Sequence, residues 1–441
     1  MIKNKITAIS LALFGFLLST SYISFKNNDP VFILVSFIFL FVVMLIFNKN
    51  EYRYMGVFSF GVILTLMPFY HYMFVIDTGA IFTPGGDAKK YYDYAYDYGV
   101  LNGELIGYRY WFFIKIIGGY FKIINYLGGE VSPEYFSLLT AFVATLSVPI
   151  YNSCSNIIAK NDQLNIIGYF WLFTPLFVFL AVGQLRDIYT YFVVAYLYMV
   201  TLRLCYKKVK INNFILLFIF LIYVALIRID VFVYCVFFIL SYISFSSLSL
   251  KSKLISLLIA VFFMSFFIFQ SETALKQLSF ENFSTQVDIY DSQCDSGCDN
   301  SSFIKKLRDI PGGYFALAII SYFTPFPAFL FESKYNAHYF FELVFVIFWC
   351  ISSFVFLAFV WKVKKSTFDK AFIASLIFLL FLLAFTTVGY FRQKLYVYPI
   401  IYTYVYVYIK NELSNSQLVK ILAILSIFST LAVSLFFIRH S

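Results

Sequence analysis

Runs of about 20 predominantly apolar residues, the length a helix needs to cross a bilayer core, recur along nearly all of this 441-residue chain. They lie near 6–24, 30–47, 54–75, 133–153, 163–183, 187–204, 212–228, 231–248, 254–270, 339–361, 371–389, 393–410 and 417–438. In hydrocarbon a backbone must satisfy its own hydrogen bonds, so each run is expected to be a helix. Composition agrees: 61% of residues are apolar and 13% charged, with mean hydropathy +0.82, against roughly half and a quarter in soluble domains. That much apolar surface has to face lipid. The expectation is an all-α, polytopic integral membrane protein of about 13 transmembrane helices. Soluble enzymes, nucleic-acid binders, disordered scaffolds and disulfide-rich secreted modules are excluded.

The net charge of +10 matters less than where the charges fall. With the N-terminus cytoplasmic, 17 of the 33 Lys and Arg lie on the cytoplasmic side, against 6 in the short outer connections and 10 in two long outer segments. Lys3 and Lys5 precede the first run as in a signal peptide. No small-residue cleavage site follows and further runs come at once, so it reads as an uncleaved first helix.

No internal repeat or flexible linker is visible, and 1–441 reads as a single membrane domain with two long outer loops, 76–132 and 271–338. Each loop holds an apolar stretch that charge bias keeps from counting as a span. Residues 108–127 carry Lys115 and Lys122 on one face, as a snorkelling amphipathic helix would. Residues 313–332 contain Pro325 and Pro327, which break a helix late in the segment. Both are expected to be re-entrant or interfacial helices on the outer face.

Ionisable groups at the membrane are costly and suggest function. In this topology four stretches bring them to the outer boundary: Asp87 in TPGGDAKKYYDYAYDYG, Arg186 and Asp187 in VGQLRDIYTYF, Arg228 and Asp230 in ALIRIDVF, and Arg392 and Lys394 in VGYFRQKLYVYP. Purely structural explanations stand beside each. Asp87 follows Pro84-Gly85-Gly86 and suits a helix N-cap. Asp93 and Asp97 have the spacing for surface pairing after Lys89. The two Arg–Asp pairs would serve equally well as ties between helices. Arg392 and Lys394 sit in a connection too short to need two cations for solubility, which favours function.

Arg forks onto phosphate oxygens and Lys adds a point charge, so this set suits a phosphate or diphosphate at a water–lipid boundary. A nearby carboxylate is able to take the proton of an attacking hydroxyl. A polyprenyl-diphosphate sugar presents its lipid, phosphate and glycosidic bond in that order. No cofactor is expected, although a divalent cation held by Asp stays open. His71, His338 and His440 are too scattered for a metal site and read as surface or packing residues. Cys154, Cys205, Cys235 and Cys350 read as small apolar residues. Cys294 and Cys298, in DSQCDSGCDN, are disulfide candidates in an oxidising compartment.

The sequence GDAKKYYDYA in the first outer loop, LRDIYTYF opening a span and FRQKLYVYPIIY near the end resemble the bacterial O-antigen and capsule repeat-unit polymerases, within the C-type polytopic membrane glycosyltransferases. The resemblance implies glycan assembly on undecaprenyl carriers in the inner membrane, with a periplasmic active site. It makes Asp87 a base or acceptor-orienting group, and Arg186, Arg392 and Lys394 the holders of carrier phosphate. Arg228 matches less well, because Ile-Asp follows it where the family usually has Pro. The implied partners are an undecaprenyl-linked oligosaccharide, membrane lipid, and a chain-length regulator and flippase, with no nucleic acid. Two other activities stay open: a transferase moving a single sugar from undecaprenyl phosphate onto O-antigen, and a non-enzymatic glycolipid flippase. A flippase should place charges along a central path, whereas this chain concentrates them at one face.

Overall fold

A computed structural model describes residues 2–47, 49–82, 87–104, 110–160, 166–206, 211–247, 249–251, 253–254, 258, 310, 312–323, 349, 352–361, 365–386 and 395–412. Among these residues every regular element is a helix. Thr7–Asn27, Asn50–Ile76, Pro133–Ala159 and Asp187–Cys205 are each long and apolar enough to cross a membrane. The protein is therefore all-helical and membrane-embedded. Its chain divides into two compact units, one built on Met1–Met199 and the other on the described residues from Val200 onward.

The first unit runs α1 (Ile2–Asn27), α2 (Val31–Ile46), α3 (Asn50–Thr78), α4 (Asp87–Gly99), α5 (Trp111–Tyr126), α6 (Pro133–Ala159), α7 (Ile166–Leu172), α8 (Pro175–Val182) and most of α9 (Asp187–Tyr206). α6 and α9 are buried along most of their length, whereas α1 and α2 expose Phe14, Phe25, Phe41 and Leu45. Large exposed apolar side chains of this kind belong against lipid. α1 and α3 approach closely because Gly61 lacks a side chain; a Cβ there would stand 2.8 Å from the carbonyl oxygen of Ala12.

The expected single run over 163–183 is two helices. Thr174 precedes Pro175, whose ring drives it out of the helical region to φ −67°, ψ 114°, and Pro175 then opens α8. Asn50–Thr78 and Pro133–Ala159 keep Pro68 and Pro149 inside continuous helices. The amphipathic stretch expected over 108–127 is α5, which packs on α4. A Cβ on Gly118 would come within 2.9 Å of the Ala95 carbonyl oxygen, and one on Gly99 would run into the Gly118 carbonyl. These two glycines let the helices touch backbone to backbone.

In the second unit α10 (Ile211–Ile227) turns into α11 (Ile229–Phe245). Further along lie α12 (Gly313–Phe323), α13 (Ser352–Trp361), α14 (Thr367–Thr386) and α15 (Tyr398–Glu412). α11 packs on α14 through Phe237 and Phe378, whose rings stack at 4.0 Å. α14 starts on a capping box, with Ser366 N donating to Asp369 Oδ2 and Asp369 N to Ser366 Oγ. α12 occupies the first half of the expected 313–332 segment; its remainder lies outside the described residues, as do most of 254–270 and all of 417–438.

Candidate functional site: the polar end of the first unit

Four junctions of the first unit meet at one end. The α1–α2 turn is clasped by Asp29, a buried carboxylate whose Oδ2 accepts from Glu130 N (3.0 Å) and Tyr135 Oη (2.8 Å), while its Oδ1 accepts from Val31 N (2.9 Å). One turn away Lys26 Nζ pairs with buried Glu134 at 3.4 Å. These contacts tie the first two helices to the start of α6.

Deeper in, Ser137 of α6 joins three helices. Its hydroxyl donates to the carbonyl of Val182 at the end of α8 (2.7 Å) and accepts from Gln184 Nε2 (2.7 Å). It also stands 2.9 Å from His71 Nε2 of α3. A serine hydroxyl has one proton and two lone pairs. With that proton on Val182, His71 must carry its own proton on Nε2, and Ser137 is saturated. Gln184 Nε2 donates as well to the carbonyl of Ile81 (3.0 Å), in the turn after α3. Gln184 is fully buried, holds a left-handed backbone (φ 55°), and its Oε1 has no hydrogen-bond partner among the described residues. An uncommon backbone state in a buried polar residue has to be held by its surroundings.

Two residues on, Arg186 is half-buried and sits over Tyr110, with the guanidinium carbon 3.9 Å from the ring centroid. Tyr110 meets Tyr91 edge-on (5.8 Å), Tyr91 meets Phe113 (5.2 Å), and Phe113 meets Tyr189 (5.1 Å). Tyr189 returns the chain of rings to α9, one turn from Arg186. A chain of rings thus links the seat of Arg186 to α4, α5 and α9. Asp187 opens α9 and is buried.

Asp87 is the first residue of α4 and is exposed. On the same helix Lys89 Nζ and Asp93 Oδ2 pair at 2.7 Å on the surface, as their spacing predicts. Tyr92 donates to the carbonyl of Val131 (3.0 Å), and burial raises its pKa far enough to keep it a donor.

In the second unit Arg228 stands at the α10–α11 corner with extended backbone, φ −149° and ψ 98°. Its Nε and one Nη fork onto Asp230 at 3.0 and 2.7 Å. Tyr396 packs against Tyr234, their rings tilted with centroids 5.1 Å apart. The turn containing Tyr396 directly follows Arg392 and Lys394, which lie outside the described residues, as do Cys294, Cys298, Cys350, His338 and His440. Cys154 and Cys235 are buried, as small apolar residues would be, and Cys205 is partly so. Among the described residues no group of three His, Cys, Asp or Glu is placed to hold a metal.

Of the residues singled out in the sequence, Arg186 and Asp187 lie at this polar end and Asp87 starts α4, while Tyr110, Ser137 and Gln184 were not singled out and His71 was read as a surface or packing residue. Gln184 stood two positions from a residue already of interest, within GQLRD. Ser137 offered no signal, because its partners lie 45, 47 and 66 residues away. No family model, curated protein or solved structure matches the chain.

Proposed function

We propose that the chain is a bacterial inner-membrane glycosyltransferase of about 13 spans, with its N-terminus in the cytoplasm. It polymerises undecaprenyl-diphosphate-linked repeat units into O-antigen or capsular polysaccharide on the periplasmic face. The observation that carries this reading is the Arg186 guanidinium, seated over Tyr110 at the end of the first unit where polar groups of α3, α6, α8 and α9 gather. A guanidinium held at such a place suits phosphate oxygens, which Arg recognises with its planar fork of donors.

In this reading Arg186, Arg392 and Lys394 are the residues that bind carrier phosphate. A sugar hydroxyl of the incoming lipid-linked unit, oriented by Asp87, attacks the anomeric carbon. The new carbon–oxygen bond forms as the bond to the diphosphate oxygen breaks, and the hydroxyl proton passes to the Asp87 carboxylate. Undecaprenyl diphosphate leaves, its growing charge met by the cations. Arg228 is assigned to the corner it shares with Asp230.

The test is deletion of the gene in its host, with surface polysaccharide run on a gel. The ladder should collapse to core plus one repeat unit, and return with wild type but not with Arg186→Ala or Arg392→Ala. An intact ladder with altered sugar composition would replace this reading with the single-sugar transferase.

A further inference from the structure

α5 is set apart from the crossing helices by how it lies. Phe113 and Phe121, about two turns apart, both contact the ring of Phe136 at the start of α6, at 6.3 and 6.4 Å. The helix therefore lies across α6. Its Tyr120 stacks on Phe39 in the middle of α2 at 5.8 Å, so this side of α5 adjoins a helix whose own outer face is apolar.

The pairs Lys115–Ile116 and Lys122–Ile123 repeat at a seven-residue interval. Two lysines then share one line along the helix, and two isoleucines share another a little over a quarter-turn away, toward Tyr120. Both lysines and Ile123 are exposed, and Ile116 is partly so. Gly119 faces outward between the lysines, and nothing lies within 4 Å of where its Cβ would be. The result is a shallow saddle with an ammonium on each side. Exposed Trp111 and Tyr126 mark the two ends, with Lys115 Nζ 5.1 Å from the Trp111 ring. α5 has no acidic residue. The exposed side of α4, by contrast, carries both signs and pairs Lys89 with Asp93.

We propose that α5 is an interfacial anchor selective for anionic phospholipid. A headgroup phosphate sits over Gly119 between Lys115 and Lys122, with its acyl chains along Ile116 and Ile123 and with Trp111 and Tyr126 at headgroup level. Charge complementarity selects this occupant: a cationic edge beside an apolar edge matches a lipid that is anionic above and hydrocarbon below. The inference does not depend on any catalytic role.

The experiment uses the purified full-length protein in phosphatidylcholine proteoliposomes at low salt. Acyl-brominated phosphatidylglycerol or acyl-brominated phosphatidylcholine is added at equal mole fraction. The Trp111 contribution to quenching is the difference between wild type and Trp111→Phe, which leaves the other tryptophans in place. A lysine near an anionic surface contributes about fivefold to lipid binding, so with two lysines brominated phosphatidylglycerol should win by roughly 25-fold. Lys115→Gln/Lys122→Gln should bring the ratio near one while quenching by both lipids persists, and Lys115→Arg/Lys122→Arg should keep the preference. Equal quenching in wild type, or a preference that survives the double Gln variant, would overturn the proposal. Loss of Trp111 quenching by either lipid would overturn it too, and would indicate a protein occupant on this face.

Discussion

Arg186–Asp187 and Arg228–Asp230 look nearly alike as sequence: a basic and an acidic residue where one apolar run gives way to the next. In space they are different objects. Arg228 adopts extended backbone before α11, which brings its side chain alongside that of Asp230, and the guanidinium edge forks onto the carboxylate. That corner is a clasp. Arg186 instead sits over the ring of Tyr110, beside a chain of rings from α4, α5 and α9. One guanidinium forks onto a carboxylate two residues away, the other sits over an aromatic ring 76 positions earlier. Proximity in sequence pointed to the Arg228–Asp230 pair but not to the seat of Arg186 over Tyr110.

The widest separation between the two should appear in activity. Arg186→Ala is expected to lower polymer formation by about 100-fold or more, the scale of losing one well-placed electrostatic partner of a transition state, with the protein still monodisperse in the membrane. Arg228→Met/Asp230→Leu should leave the polysaccharide ladder intact. If the double variant is well folded and the ladder still vanishes, the distinction between clasp and cation fails. Tyr110→Ala should reduce activity by roughly tenfold through loss of the cation–π partner, and Tyr110→Phe should restore it, since the ring and not the hydroxyl holds Arg186.

Stability should separate them in the opposite direction. Arg228→Ala leaves the Asp230 carboxylate without its forked partner. Breaking a fully buried pair costs about 3–5 kcal/mol, and because the Asp230 side chain is 37% exposed about 2 kcal/mol is expected after allowing for solvent screening. Thermal unfolding of the purified variants checks this, and Arg228→Met/Asp230→Leu should recover most of the loss. Arg186→Ala should unfold within about 1 kcal/mol of wild type, the scale of one partly exposed cation over a ring.

Ser137→Ala probes the network beside Arg186. It removes one hydroxyl and strands His71, Gln184 and the Val182 carbonyl together, for a loss of about 2 kcal/mol. A loss as small as that of a surface serine would mean the three helices are not joined there. The smallest effect belongs to the exposed Lys89–Asp93 pair, where Lys89→Ala/Asp93→Ala should stay within about 0.5 kcal/mol of wild type.

The sequence alone determined that the chain is helical and membrane-embedded, because apolar run length and backbone hydrogen-bond satisfaction are local requirements. It also located α5 as an amphipathic helix from the spacing of Lys115 and Lys122. The break at Phe173–Thr174 was open to the same kind of reading, since Pro175 acts on its immediate neighbour, but hydropathy averages over such a residue and hid it. What only the tertiary structure decided is which polar side chains keep company. Ser137 reaches partners on α3, on α8 and in the turn before α9, and Arg186 finds its seat over Tyr110. A buried polar group has to find its hydrogen bonds wherever packing offers them. Its partners are therefore chosen by how helices cross, and that depends on residues far apart along the chain.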